Sequence, residues 1–290
     1  MTEKPVPSMA ERLERGEVVH YPKAPFPLPE GADLAVLLDL RLARFSKNIS
    51  YDPAADQAHG FLETSAVQAA AARAVFARFS REATGWLART LPRYAAAWKL
   101  DRGSYRPEEE AMRRLRQTAR NDLLHVDAFP NRPTQGWRIL RVFANVNPTE
   151  PRVWMTSEAF AKLLERYGFA AGLPGERHAG WLKQFGKSLL RAMRPGGPQY
   201  STYDRFMLRF HDYLKMNDEF QERTPKRLWS FAPGSVWLAM TDACSHAVLR
   251  GRFALEHSYF VPPAALALPD ESPAALLERI CAARQQKRAA

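Results

Sequence analysis

Cysteine is almost missing from this chain: Cys244 and Cys281 are the only two in 290 residues. A disulfide framework and a Cys-rich metal site are thereby excluded. No apolar run approaches the roughly eighteen residues needed to cross a bilayer. The opening Met1-Thr-Glu-Lys-Pro lacks the charged-then-apolar pattern of a signal peptide, so a cytoplasmic location is expected. There is no internal repeat and no low-complexity tract. Gly196-Gly197-Pro198 is not followed by Lys-Ser/Thr, so it is no phosphate loop. Neither a helix-turn-helix nor an RNA-recognition signature is present, and a nucleic-acid partner is not expected.

Acidic residues are also in short supply. Thirty-one Asp and Glu face 42 Lys and Arg, for a net charge of +11. Such a field attracts anions: nucleic acid, phosphorylated lipid, acidic sugars or keto acids. Most of the cations are Arg, whose planar fork matches carboxylates and phosphates. A hydrophobic content of 46% fits a globular chain with a sizeable core.

Ser8-Met-Ala-Glu11 reads as a capping box opening a short helix that stops near Gly16. Pro22, Pro25, Pro27 and Pro29 then force an extended arm. Residues 64–90 are Ala-rich, with Val67, Val75, Phe76, Phe79, Trp86 and Leu87 at helical spacing, and Pro92 follows. Arg138 to Asn145 reads as a strand ended by Pro148 and Pro151. Helical patterns return from Ser157 to Arg223, including a run from Trp181 to Met193 and an apolar stripe of Phe206, Phe210 and Tyr213. Strands resume at Leu228–Phe231, Ser235–Met240, Ala247–Leu249 and Phe253–Val261. Ser272-Pro273 opens a last helix.

The expected organisation is a short helix and Pro-rich arm (1–35), a helical flank (36–100), a core (101–262) with a helical insertion at about 157–226, and a C-terminal helix with a basic tail (263–290). The fold class is α+β, with the two strand blocks pairing as a sheet sandwich or jelly roll.

The chemistry-bearing feature is His125-Val-Asp127. In extended backbone, residues i and i+2 share a side, so His125 and Asp127 can converge on one ion. A distant third His completes the 2-His-1-carboxylate set, which leaves open positions on iron. His246 is best placed, since it follows a strand and opens an apolar segment; His257 is the reserve, ahead of His20, His59, His178 and His211. Zinc with an activated water would use the same ligands.

Arg138 and Arg141 fall on opposite faces of their strand, and an inward charge needs a partner such as a bound carboxylate. Arg252 is a second candidate near His246. Asn145 and Asn147 either cap a turn or bind a polar substrate. His211-Asp212 and Asp204 read as a solvated helix face, and so does the Arg113-Arg114-x-Arg116 cluster.

With these residues in view, the chain resembles the Kdo hydroxylases, oxygenases that use iron(II) and 2-oxoglutarate on the lipopolysaccharide inner core. The resemblance lies in Lys47-Asn-Ile-Ser50, Gly103-Ser-Tyr-Arg-Pro107, Leu124-His-Val-Asp-Ala-Phe-Pro130, Gly136-Trp-Arg-Ile-Leu-Arg-Val-Phe-Ala-Asn-Val-Asn-Pro148, Pro233-Gly-Ser-Val-Trp237 and Ser245-His-Ala-Val-Leu-Arg-Gly251. It implies a double-stranded β-helix of cupin-like type, with iron held by His125, Asp127 and His246. It further implies 2-oxoglutarate and O2 as co-substrates, with ascorbate as an accessory reductant. The implied substrate is Kdo in Kdo-lipid A, hydroxylated at C3 to Ko. The positive charge also fits peripheral association with an anionic inner-membrane surface.

Many such oxygenases hold the far carboxylate of 2-oxoglutarate with an Arg a short way beyond the distal His, where this chain has Glu256 and His257. Gly136-Trp137-Arg138 is similar to an alternative arrangement, so Arg138 is expected in that role, with Arg252 behind it. Arg106 and Arg141, with Asn145 and Asn147, are expected on the substrate. Other expectations are an oxygenase acting on another anionic sugar or lipid, a metal-dependent hydrolase, or a basic nucleic-acid-binding protein.

Overall fold

The computed structural model describes residues 6–109, 115–173 and 198–289. The helix expected at Trp181–Met193, together with His178, Gly196-Gly197 and Arg113-Arg114, lies outside the described residues.

Two antiparallel sheets form the frame. The larger has seven strands in the order β1-β8-β5-β10-β4-β2-β3. These are β1 (Val19–Tyr21), β2 (Ile49–Asp52), β3 (Gln57–His59), β4 (Lys99–Arg106), β5 (Arg138–Asn145), β8 (Val236–Met240) and β10 (Ala254–Val261). The smaller is β7-β6-β9, from β6 (Arg152–Ala159), β7 (Arg227–Phe231) and β9 (Cys244–Arg250). β5, β7, β8 and β10 lie within a residue of the segments read from alternation, whereas β9 starts three residues before Ala247–Leu249 and so includes His246. β6 is an addition: Pro148 and Pro151 do end β5, but the chain turns on Asn147 and leaves as a strand. Along it Arg152, Trp154 and Thr156 are buried in strict alternation.

Helix α1 (Met9–Glu14) carries the capping box, with Glu11 accepting from the Ser8 N–H at 2.7 Å. Helix α2 (Gly31–Asp39) follows the Pro-rich arm, and α3 (Ala66–Thr90) is capped by Ser65. Its Val75, Phe76, Phe79 and Leu87 pack on Leu140, Val142, Leu238 and Leu255, covering the outer face of the large sheet. Burial is worth about 1.5–3 kcal/mol for each such side chain. A short α4 (Pro92–Ala95) follows.

Between the sheets, Phe143 and Trp237 of the large sheet meet Trp154 and Phe231 of the small one. The Phe231 and Trp237 rings stack at 3.9 Å. This aromatic plug closes one side of the sandwich interior. The outer face of the small sheet is covered by α5 (Phe160–Tyr167), α6 (Thr202–Met216), α7 (Asp218–Arg223) and α8 (Pro273–Ala289). Phe206, Phe210 and Leu214 of α6 pack there with Leu124, Val126 and Phe160. The stripe on α6 is therefore core.

Candidate metal centre and cleft

The segment around His125 is pinned to β9 by its backbone. His125 N–H donates to His246 O at 3.1 Å and His246 N–H to His125 O at 2.9 Å. A directly paired couple of this kind sends both side chains to one face. Asp127, two residues on, faces the same way, and its N–H is held by Thr241 O at 2.8 Å. His125 Nε2 lies 3.6 Å from Asp127 Oδ1, and His246 Nε2 lies 3.9 Å from the same oxygen. All three donor atoms fall within 4.8 Å of one another. Bonds of about 2.1 Å to one ion put two ligands about 3 Å apart at right angles and about 4.2 Å apart in line.

Each imidazole is oriented from behind. His125 Nδ1 sits 2.7 Å from Leu123 O and His246 Nδ1 sits 2.9 Å from Cys244 O. A carbonyl only accepts, so Nδ1 carries the proton and Nε2 presents its lone pair to the site. Burial holds both imidazoles below the ordinary histidine range, and for His125 the Lys215 charge adds to it, which keeps them neutral and able to ligate. Burial alone would raise Asp127, but the Arg141 charge and the His125 hydrogen bond outweigh it and hold the carboxyl well below its usual range.

Arg141 organises the opposite wall. It donates to Asp127 Oδ2 at 2.8 Å, to Glu256 Oε1 at 2.7 Å and to Ser258 Oγ at 3.2 Å. Register explains the grouping: Arg141 pairs with Ser258 and Phe143 with Glu256 across β5 and β10, and Glu256 pairs with Ser104 on β4. All five point into the sandwich. Glu256 also meets Arg106 at 3.4 Å. Burial pushes Glu256 up, and Arg141, Arg106 and Ser104 more than reverse it.

These side chains line a cleft of about 430 Å³. Its described walls carry eight Lys and Arg, including Arg102, Arg106, Arg132, Arg152 and Lys215, against the carboxylates Asp127, Asp212 and Glu256. Such a lining favours anionic ligands. Arg152 enters from β6, nearly fully buried, with Nη1 donating to Gly251 O at 2.6 Å.

Several expected residues lie elsewhere. Arg138 is a correction. Its side chain is fully buried on the outer face of β5, donating to Asp242 Oδ2 at 2.6 Å, and it does not reach the cleft. The large sheet is covered on both faces, so both of its arginine-bearing faces are interior. Arg252 stacks on its neighbour Phe253 at 4.3 Å and borders a separate cavity beside Arg41 and Glu109. Asn145 and Asn147 build the turn: Asn145 Nδ2 donates to Glu150 O and Phe231 O at 2.9 Å each, and Asn147 Oδ1 accepts from the Thr149 and Glu150 N–H groups. They do not line the cleft. His257, the reserve ligand, points outward to Ser80 Oγ at 2.8 Å.

His211 and Asp212 reverse the expectation of a solvated face. With Leu208 and Lys215 they form the polar i, i+3, i+4, i+7 face of α6, and that face lines the cleft. The His211 ring lies 5.0 Å from His125. Asp204 caps α6 and accepts from the Thr134 N–H at 2.8 Å. Lys215 is 2% exposed, with Nζ 3.3 Å from Thr118 O, and burial pushes its ammonium down to about 8. Arg152, Glu256 and Lys215 were not expected as cleft residues. Glu256 had a signal, since it stands where related oxygenases carry an Arg; a polar helix face gives none.

The comparisons decide the family. The sequence model of the 3-deoxy-D-manno-oct-2-ulosonic acid (Kdo) hydroxylases matches residues 1–284. The chain belongs to the Kdo hydroxylase family. Among solved structures it is similar to the Kdo hydroxylase KdoO, a non-heme Fe(II) alphaketoglutarate-dependent dioxygenase. The KdoO complex with alphaketoglutarate and Fe(III) is 34% identical, with a TM-score of 0.79 over 93% of this chain and 88% of that one. The cobalt(II) complex aligns over the same shares at 34% identity with a TM-score of 0.81. No curated protein sequence matches the chain significantly. The Kdo hydroxylase fold seen here is the cupin-like mixed architecture expected, with its large antiparallel sheet.

Proposed function

We infer that this chain is an Fe(II)- and 2-oxoglutarate-dependent dioxygenase that hydroxylates Kdo. Its substrate in this reading is Kdo carried on lipid A, converted at C3 to Ko with release of succinate and CO2. The observation that carries the reading is the meeting of two imidazoles and one carboxylate in a cationic cleft, in a chain of the Kdo hydroxylase family. Iron would be held by His125 Nε2, His246 Nε2 and one oxygen of Asp127, and the donor set fits, because both Nδ1 atoms are already committed to carbonyls. When bound there with its co-substrates, iron supplies the oxidising power that replaces a C–H bond by C–OH.

The rest falls to the protein. Arg141 fixes Asp127 through Oδ2 and leaves Oδ1 toward the two imidazoles. Arg106 and Arg152, both in the cleft, are proposed for the far carboxylate of 2-oxoglutarate in place of Arg138 and Arg252. Arg152→Gln is then expected to raise KM for 2-oxoglutarate about tenfold or more, the size of a lost charge-assisted hydrogen bond, in steady-state succinate assays. Trp154 and Phe143 exclude water from the inner end.

Lys215, with His211 beside it, is proposed for the sugar carboxylate. Burial costs Lys215 stability while it is charged. The penalty is full below about 8 and fades as pH rises toward the ordinary lysine value. Lys215→Met is therefore expected to raise Tm at pH 7, with the gain shrinking above about 8, and to raise KM for the anionic sugar about tenfold. Thermal melts across pH and substrate titrations read the two effects separately.

Peripheral association with a membrane belongs to the same reading. Among the described residues no helix is long and apolar enough to cross one. The direct test is succinate release by anaerobically reconstituted protein, with and without Kdo-lipid A. Release stimulated by the lipid supports the assignment; slow release indifferent to it would keep the oxygenase and discard the sugar.

A further inference from the structure

Phe45 is at odds with its own surroundings. It sits at the third position of the turn Ala43–Ser46, closed by Ser46 N–H donating to Ala43 O at 3.0 Å. Its φ is +70°, a conformation that turns reserve for Gly or Asn and that costs a bulky residue strain. The residue is 89% exposed. Among the described residues no packing buries the ring. Strain held at an exposed apolar side chain points to a contact outside the molecule.

The setting of the turn indicates which contact. Between Leu40 and Ser50 the chain carries Arg41, Arg44 and Lys47 and no Asp or Glu. Arg44 lies over the Phe45 ring at 4.8 Å. The turn is braced from behind, with Ala43 N–H donating to Gly60 O and Leu62 N–H to Arg41 O, each at 2.9 Å. Leu62, on the bracing segment, is 58% exposed. The far end of the same loop, Lys47 and Asn48, forms a wall of the cleft. An aromatic tip collared by cations suits the boundary between anionic headgroups and acyl chains, where the ring enters and the cations meet phosphate.

We propose that the Ala43–Ser46 turn is a membrane-docking tip, which seats Phe45 in an anionic bilayer and holds the cleft mouth at its surface. The proposal rests on the lipid-linked substrate inferred above and names the surface that reaches it.

The test is sedimentation of the full-length protein with sucrose-loaded vesicles of phosphatidylcholine alone, or with three parts in ten phosphatidylglycerol. Wild type is expected to bind the anionic vesicles, weakly or not at all the neutral ones, and to be released by salt. Phe45→Gly removes the ring and relieves the strain. It is expected to weaken vesicle binding about tenfold while Tm holds or rises. Arg44→Glu should weaken binding at least as much. Both variants should leave turnover of a detergent-free, water-soluble Kdo glycoside unchanged. Wild-type protein that ignores anionic vesicles, or variants that bind as well as wild type, would overturn the proposal. So would a lower Tm in Phe45→Gly, which would make the ring structural. A dimer in sedimentation velocity that Phe45→Gly dissolves would assign the turn to a second copy instead. Absence of any 2-oxoglutarate turnover would sink the enzymatic reading and leave the vesicle result standing.

Discussion

Asp127→Asn is expected to abolish iron binding and turnover together. The change keeps the shape of the side chain and its place beside Arg141, but removes the anionic oxygen that lies 3.6 and 3.9 Å from the two imidazole nitrogens. Loss of a partner behind a ligand typically costs about 10–100-fold in metal affinity or activity, and loss of the ligand itself should exceed that. Anaerobic Fe(II) titration with 2-oxoglutarate, read by visible absorption, and succinate release from the same samples check both. Circular dichroism should match wild type. Retained iron binding in Asp127→Asn or in His246→Ala would move the metal site elsewhere.

The second large effect concerns stability. Arg138 and Asp242 form an ion pair with both side chains fully buried. Arg138→Met leaves Asp242 uncompensated inside the protein and is expected to cost about 3–5 kcal/mol in chemical denaturation. The same variant should leave KM for 2-oxoglutarate unchanged, since Arg138 does not line the cleft. A raised KM with intact stability would instead return Arg138 to the co-substrate. Paired with Arg152→Gln, it separates the arginine that holds the fold from the one assigned to the ligand.

That contrast shows where sequence reading stops. Alternation along Arg138–Asn145 correctly separates Arg138 from Arg141, because successive side chains leave a strand on opposite sides. It cannot say which side opens on the cleft. With α3 on one face and the small sheet on the other, both faces are buried, and the alternation that marks an outside is lost. The same limit hid α6. Its apolar stripe is plain in Phe206 and Phe210, but its polar face looks like any solvated one, though His211 and Lys215 turn into the cleft. β6 was obscured by Pro148 and Pro151 before it and the helical pattern after it. By contrast, His125-Val-Asp127 was legible because spacing of two in extended backbone carries its own geometry. His246 was legible because it follows the Ser235–Met240 strand and opens the next apolar segment. What no local pattern contains is the backbone pairing of His125 with His246, which depends on contacts between segments 121 residues apart.

In the proposed reaction this cleft places one atom of dioxygen on Kdo. The most direct measurement is mass spectrometry of Kdo-lipid A after incubation with the iron-loaded protein, 2-oxoglutarate and oxygen-18 gas, with succinate counted in parallel. The expected product is heavier by one oxygen-18 atom on the Kdo unit, with one succinate formed for each product, and neither in Asp127→Asn. A product labelled only in oxygen-18 water, or cleaved rather than hydroxylated Kdo, would contradict it and make the same three ligands those of a hydrolase.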